Sequence, residues 1–198
     1  MQEIDRCYFD MKNKIPITQY NLDLINGLST SIATYENKLL LCAELTHKLL
    51  HKNTIHDLMN KIWNECRTEE QFKEKVTSEI VGRIVMTQYN NKTYKIDDID
   101  WDSNPESSFG TRRGDVTFLQ YYQQQYELNI QDRKQPLLLS LPSGKDKRRA
   151  EQAGQVAKPA LLVPELCIIT GVDEKMRTDF RYLFINCLII NPKFLIFC

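Results

Sequence analysis

The sequence predicts an α+β fold: a small β-barrel with a helix packed over one opening, preceded by a β-hairpin and two helices. Three observations predict it. From Gly82 onward the chain breaks into short apolar stretches separated by polar turns, as short strands do. One helical segment, residues 117–128 (TFLQYYQQQYEL), interrupts those strands. In front of them Ile55, Leu58, Met59, Ile62 and Trp63 recur at helical spacing, followed by Phe72, Val76 and Ile80. At 198 residues the chain holds one fair-sized domain and a smaller element.

Taken in order, residues 1–25 mix charged and apolar positions around Pro16 and read as an extended connector. LSTSIATYE, a turn at Asn37-Lys38 and LLLCAELTHKLL predict a hairpin. Thr54 opens the first helix with Asp57 in its first turn, and Thr68 with Glu69 and Glu70 opens the second. Their charged faces (Lys61, Glu65, Lys73, Glu74, Lys75) are solvated surface. Residues 83–87 and 92–96 are strands joined by a tight polar turn at Tyr89-Asn90-Asn91. The acidic run at Asp97, Asp98, Asp100 and Asp102 reads as a structural turn, and ESSFGTRRGD at 106–115 as a loop. Asp115 is then the N-cap of the tyrosine helix. Residues 136–141 form an apolar strand, and 142–160, with KDKRR at 145–149, a solvated insertion. Residues 161–169 return to apolar character, with Pro164 at an edge or bend. Thr178 to Phe180 fall in a final helix. The tail 182–198 carries one charged side chain, Lys193, and is too short and broken by Pro192 to span a membrane.

Charge and cysteine usage narrow the function. Twenty-six basic residues balance twenty-six acidic ones, which argues against a long cationic groove but leaves room for a small pocket gripping one chain end. Six scattered cysteines without a CxxC pair, and a polar start (QEIDRCYFD), point to free thiols in a reducing, cytoplasmic setting. Cys42 and Cys167 lie in apolar runs and read as buried. His47, His51 and Glu44 lack a thiolate at zinc-ligand spacing, and no metal or cofactor is expected. No catalytic triad pattern or glycine-rich phosphate loop stands out.

The tyrosine helix admits two readings. Tyr122 and Tyr126 are four residues apart, as on one helix face, so they fill a core. Clustered phenols with few charges also suit stacking on a base and donating to a phosphate. Periodicity does not separate the two.

YNNKTYKIDDIDWDSNPESSF, VTFLQYYQQQYELNI, QPLLLSL and LLVPELCIITG resemble the PAZ domain of Piwi-clade Argonaute proteins, and LLLCAELTHKLL with TIHDLM resembles the linker leading into it. The resemblance implies an OB-like barrel with an inserted strand-and-helix appendage. It divides the chain into a linker at 1–52, the PAZ domain at 53–181 and a divergent tail at 182–198, ending before the MID and PIWI domains. It implies a non-enzymatic module binding the 3′ end of a single-stranded small RNA (piRNA) whose terminal sugar is 2′-O-methylated. Germline transposon silencing, protein partners in perinuclear silencing granules and no membrane partner go with it. Carried onto this chain, Tyr94 and Lys95 match the strand contacting terminal phosphates, and Phe109 the aromatic wall. Tyr121 and Tyr126 match the phosphate-binding phenols, and Leu162 and Val163 the residues closing around the sugar. Gln88 and Gln125 stand where Argonaute-clade domains carry a histidine and a lysine, so phosphate contact leans on Lys92, Lys95 and hydroxyls. Tyr121 and Tyr126 are separated by about 140° on an ideal helix, which requires the helix to end before Tyr126 or the pocket to wrap its end; Tyr122 is then a packing residue. A protein-interaction or decoy module without an RNA role is the alternative.

Overall fold

A computed structural model describes residues 1–171 apart from residues 5, 37, 112 and 113. The final helix expected near Thr178 and the apolar tail lie outside the described residues, as does Asn37 of the hairpin turn. The fold is α+β, a nearly closed antiparallel barrel-like sheet with four helices.

The first twenty-five residues are not a connector. They form β1 (Gln2–Ile4), β2 (Cys7–Phe9) and β3 (Ile15–Ile17), and the latter two pair with β4 (Leu22–Tyr35). Their apolar residues are too widely spaced to show a period, but Ile4 and Phe9 are buried against Ile25 and Leu50. β4 returns as β5 (Lys38–Thr54), and the two form a ribbon paired from Leu22↔His51 to Tyr35↔Lys38. Near its tip Ile32, Leu39 and Leu41 are each more than 70 % exposed. Cys42 is only half-buried there, whereas Cys167 is fully buried.

Two capped helices follow. α1 (Ile55–Glu65) begins in a capping box, in which the Thr54 hydroxyl accepts from the Asp57 N–H and the Asp57 carboxylate accepts from the Thr54 N–H. α2 (Glu69–Ile80) is capped by Thr68. Ile55, Met59, Ile62, Val76 and Ile80 turn inward as their spacing predicts. Trp63 does not: it is 54 % exposed and meets the Phe72 ring edge-on at 5.0 Å.

The barrel is built from β6 (Ile84–Thr87), β7 (Thr93–Lys95), β8 (Asp98–Asp100), β11 (Leu137–Ser140), β12 (Ala160–Leu162) and β13 (Cys167–Thr170). The chain changes sheets twice. At Ile96 and Asp97 it passes from β7, paired with β6, to β8, paired with β11. At Pro164–Leu166 a short 3-10 turn carries it from β12 back to β13. The acidic run is therefore a strand followed by a turn, not a turn alone. Ile99 points inward between exposed Asp98 and half-buried Asp100, whose carboxylate accepts from the N–H groups of Asp102 and Ser103.

Alternation along these strands gives the sheet two buried faces. Val85, Ile169 and Leu162 point into the barrel, which α1 and α2 close at one end. Met86 and Ile168 point the other way, onto Ile4, Phe9 and Leu50.

Gly27 is required where β2 crosses β4: an added Cβ would lie 2.6 Å from Phe9 Cδ1 and 2.8 Å from the Tyr8 carbonyl oxygen. Both are packed and one is backbone, so overpacking here costs about 1–3 kcal/mol. Gly27→Ala is expected to lower the thermal midpoint by several degrees, while Gly144→Ala, whose Cβ meets nothing within 4 Å, leaves it in place.

Candidate functional site

ESSFGTRRGD is not a loop. Ser108–Thr111 (β9) pairs with Gly114–Thr117 (β10) in a hairpin leading directly into α3 (Phe118–Tyr126). Asp115 lies in β10 opposite Gly110, and the cap is Thr117 instead. Its hydroxyl accepts from the Gln120 N–H at 3.2 Å while the Gln120 side-chain oxygen accepts from the Thr117 N–H at 3.4 Å. The hairpin and α3 make an appendage whose inner face is aromatic.

Tyr122 is 2 % exposed and packs with Phe118, Ile130, Leu137, Val163 and Leu166. It is the packing residue of the three helix tyrosines. Across from it stands Tyr89, at the start of the β6–β7 turn, which belongs to the barrel. Their rings meet edge-on at 5.1 Å and their hydroxyls are 3.2 Å apart.

Tyr126 is the last residue of α3, and Glu127, at φ 56°, turns the chain away. The helix therefore ends at Tyr126 and not before it. From that terminal position its ring lies over Tyr89 at 4.6 Å and reaches Tyr121 at 6.0 Å. The 140° separation is thus bridged by Tyr126 swinging across the helix end, where Tyr121 hydrogen-bonds to it. Phe109, from β9, lies 5.5 Å from Tyr121 and 4.6 Å from Phe118.

Tyr94, on β7, is half-buried and comes within electrostatic reach of Tyr126, with the Asn90 side chain bonded to its phenol. The structure thus brings Tyr94, Phe109, Tyr121 and Tyr126 to one seam between barrel and appendage. Val163 forms part of its floor, together with half-buried Leu161. Leu162 is not in the seam, because strand alternation turns it into the barrel core. Lys92, Lys95, Gln88 and Gln125 are exposed, and Lys95 pairs with Asp97 at 3.7 Å.

Sequence reasoning missed Tyr89, Asn90 and the residues after 142. Tyr89 was legible in part, since a large aromatic ring is an unusual opening for a solvated turn. The segment 142–160 contains a helix, α4 (Gly144–Gln152), whose capping box of Ser143 and Asp146 is visible in the sequence as Ser followed three residues later by an acid. α4 buries no residue of its own. Facing it across a groove of about 1340 Å³ are Asn90, Lys92, Tyr94 and Lys95.

Burial raises the Tyr89 and Tyr122 phenols well above the ordinary 10.0. It raises Tyr94 and Tyr121 as well, the latter helped by its hydrogen bond to Tyr126. An unfolded chain releases these protons near 10.0 while the folded chain keeps them, so stability is full below that pH and falls as pH rises past it. An absorbance titration of the native protein is expected to show Tyr89, Tyr94, Tyr121 and Tyr122 lagging behind free phenol. Ionisation of all nine tyrosines in a single step at 10.0, without unfolding, contradicts the buried seam.

A family model described as the PAZ domain matches residues 56–184. Piwi-like protein 1 of Gallus gallus is 38% identical over 181 residues, Piwi-like protein 3 of Homo sapiens 37% over 182, and Protein aubergine of Drosophila melanogaster 34% over 180. These alignments take in 90–91% of this chain and 20% of each relative, so the chain spans about a fifth of their length. The crystal structure of Drosophila Piwi superposes with a TM-score of 0.53 at 33% identity, over 85% of this chain and 20% of that one.

Proposed function

The chain belongs to the PAZ domain family, non-catalytic nucleic-acid-binding modules, and from that premise we propose that it anchors the 2′-O-methylated 3′ end of a single-stranded small guide RNA of the piRNA type in a Piwi-type silencing pathway. The observation that carries this reading is the convergence of Tyr94, Tyr121 and Tyr126 at the barrel–appendage seam, with Phe109 beside them. Three phenols kept protonated act as donors to phosphate oxygens, and the Phe109 ring offers a face to a base.

The magnitudes suit a chain end. A hydrogen bond from a phenol to a charged phosphate contributes about 1.5–3 kcal/mol, and stacking a base about 1–3 kcal/mol. Two phenols and one stack approach the ~8 kcal/mol of a micromolar complex before ordering costs. Leu161 and Val163 give the seam an apolar floor for the sugar methyl. Burying one methyl adds about 0.8 kcal/mol, a preference of roughly fourfold and not an absolute requirement.

Titration with short single-stranded RNAs ending in 2′-O-methyl, 2′-hydroxyl or 3′-phosphate tests the proposal. The methylated end is expected to bind several-fold more tightly than the hydroxyl end, and the bulkier phosphate end most weakly. Tyr121→Phe and Phe109→Ala are each expected to weaken binding by at least about tenfold, the equivalent of ~1.4 kcal/mol. Weak affinity indifferent to the end would overturn the reading. A Tyr121→Phe protein with full affinity would move the pocket elsewhere.

A further inference from the structure

The groove between β7 and α4 continues from the tyrosine seam, because Asn90, Lys92 and Tyr94 line it as well. At about 1340 Å³ it exceeds the ~300–1,000 Å³ of small-molecule pockets. It is an open channel suited to a length of chain. Its far wall is α4 and the segment after it, which present Asp146, Arg149 and Lys158. Of the KDKRR run, only Asp146 and Arg149 face inward.

The charges lining it are divided by their bonding. Asp146 is engaged in the helix cap, accepting from the Ser143 hydroxyl at 2.5 Å and the Ser143 N–H at 3.2 Å. Asp97 accepts from the Leu141 N–H at 2.7 Å and pairs with Lys95. Lys92, Arg149 and Lys158, by contrast, enter no ion pair among the described residues. α4 itself is held by local bonds at both ends and not by packing: its capping box starts it, and Gly154 at φ 65° ends it, with the Gln155 N–H donating to the Ala150 carbonyl. A helix that adds nothing to the core, yet holds an uncommitted arginine over a groove, has its role at the surface.

From this arrangement we infer that the groove carries the single-stranded RNA backbone leading to the anchored 3′ end, with Lys92 on one wall and Arg149 and Lys158 on the other facing its phosphates. The inference rests on the end-binding reading for its direction, since the seam fixes one terminus and the groove is the open way out of it. A regular polyanion fits three separated cations on two walls, and the carboxylates between them already have partners.

The test compares 2′-O-methylated RNAs of about 4 and about 12 nucleotides, within the ~4–16 nucleotides that OB-type barrels span. The proteins are the full chain and the double variant Arg149→Gln, Lys158→Gln. The longer RNA is expected to bind the unaltered chain several-fold more tightly. The double variant should lose that advantage, keep its affinity for the short RNA and show a salt dependence shallower by about 1.4 in log–log slope, ~0.7 per phosphate contact. Equal affinity for both lengths, or a length advantage untouched by the double variant, overturns the groove. Long RNA bound in a variant-sensitive way without any short-RNA binding upholds the groove and removes the end-binding reading. An acidic peptide of equal charge that displaces the long RNA as well as RNA itself overturns RNA as the occupant. Failure of both RNAs to bind overturns both readings.

Discussion

The contact between Tyr89 and Tyr122 is the constraint on which the site depends. One phenol belongs to the barrel turn and the other to the appendage helix, and each satisfies the other's hydroxyl at 3.2 Å in a place where water is largely excluded. A buried hydroxyl without a partner costs about 1–3 kcal/mol, so neither ring can be withdrawn alone. The contact fixes α3 against the barrel, and the remaining aromatic residues take their positions from it. Tyr126 lies on Tyr89, Tyr121 on Tyr126 and Phe109 on Tyr121. A second tie holds the floor. The Glu165 carboxylate accepts from the Gln131 N–H and the Gln135 amide, and the Gln135 oxygen accepts from the Glu165 N–H. This joins the loop after α3 to the 3-10 turn between β12 and β13, which is why the VPELC segment serves the seam while contributing no phenol.

Legibility in the sequence followed the range of the forces involved. α1 and α2 are set by caps and by a 3.6-residue period, both local, and their inward faces agreed with the spacing apart from Trp63. β6, β7 and β11 are short apolar runs between turn residues, and these too were readable. What escaped was decided by partners distant in sequence. β8 carries two aspartates and is a strand only because β11 pairs with it. β1 to β3 contain single buried residues whose neighbours lie twenty or more positions away. The β9–β10 hairpin is rich in Ser, Gly and Arg, a loop composition, and it is held by its own ladder.

The site shows the same division. Tyr121, Tyr126, Phe109 and Tyr94 were named from a resemblance of sequence, and the structure brings all four to one seam. Sequence did not separate Leu162 from its neighbours. In a strand, adjacent residues face opposite ways, so Leu161 and Val163 line the seam whereas Leu162 fills the barrel. A one-residue uncertainty in register exchanges those roles, and only the pairing Leu138↔Leu162 resolves it.

Zero net charge looked like an argument against extended nucleic-acid contact. The structure changes the force of that observation, because balance over a whole chain says nothing about which charges already have partners. Acidic residues beside the groove are engaged in a helix cap and a strand edge, while Arg149, Lys158 and Lys92 are not. In the seam the polar donors are phenols, with the uncharged Gln88 and Gln125 at the periphery. Neutral donors in a half-buried cleft act over hydrogen-bond range and are little affected by salt, whereas exposed cations act over roughly a Debye length of ~8 Å and are screened by it. The proposed recognition of an end and the inferred guidance of the chain behind it therefore draw on two kinds of interaction with different salt dependence. A protein arranged this way discriminates the terminus by chemistry without needing a net positive surface, which explains how a chain with no net charge is compatible with a ligand made of phosphates.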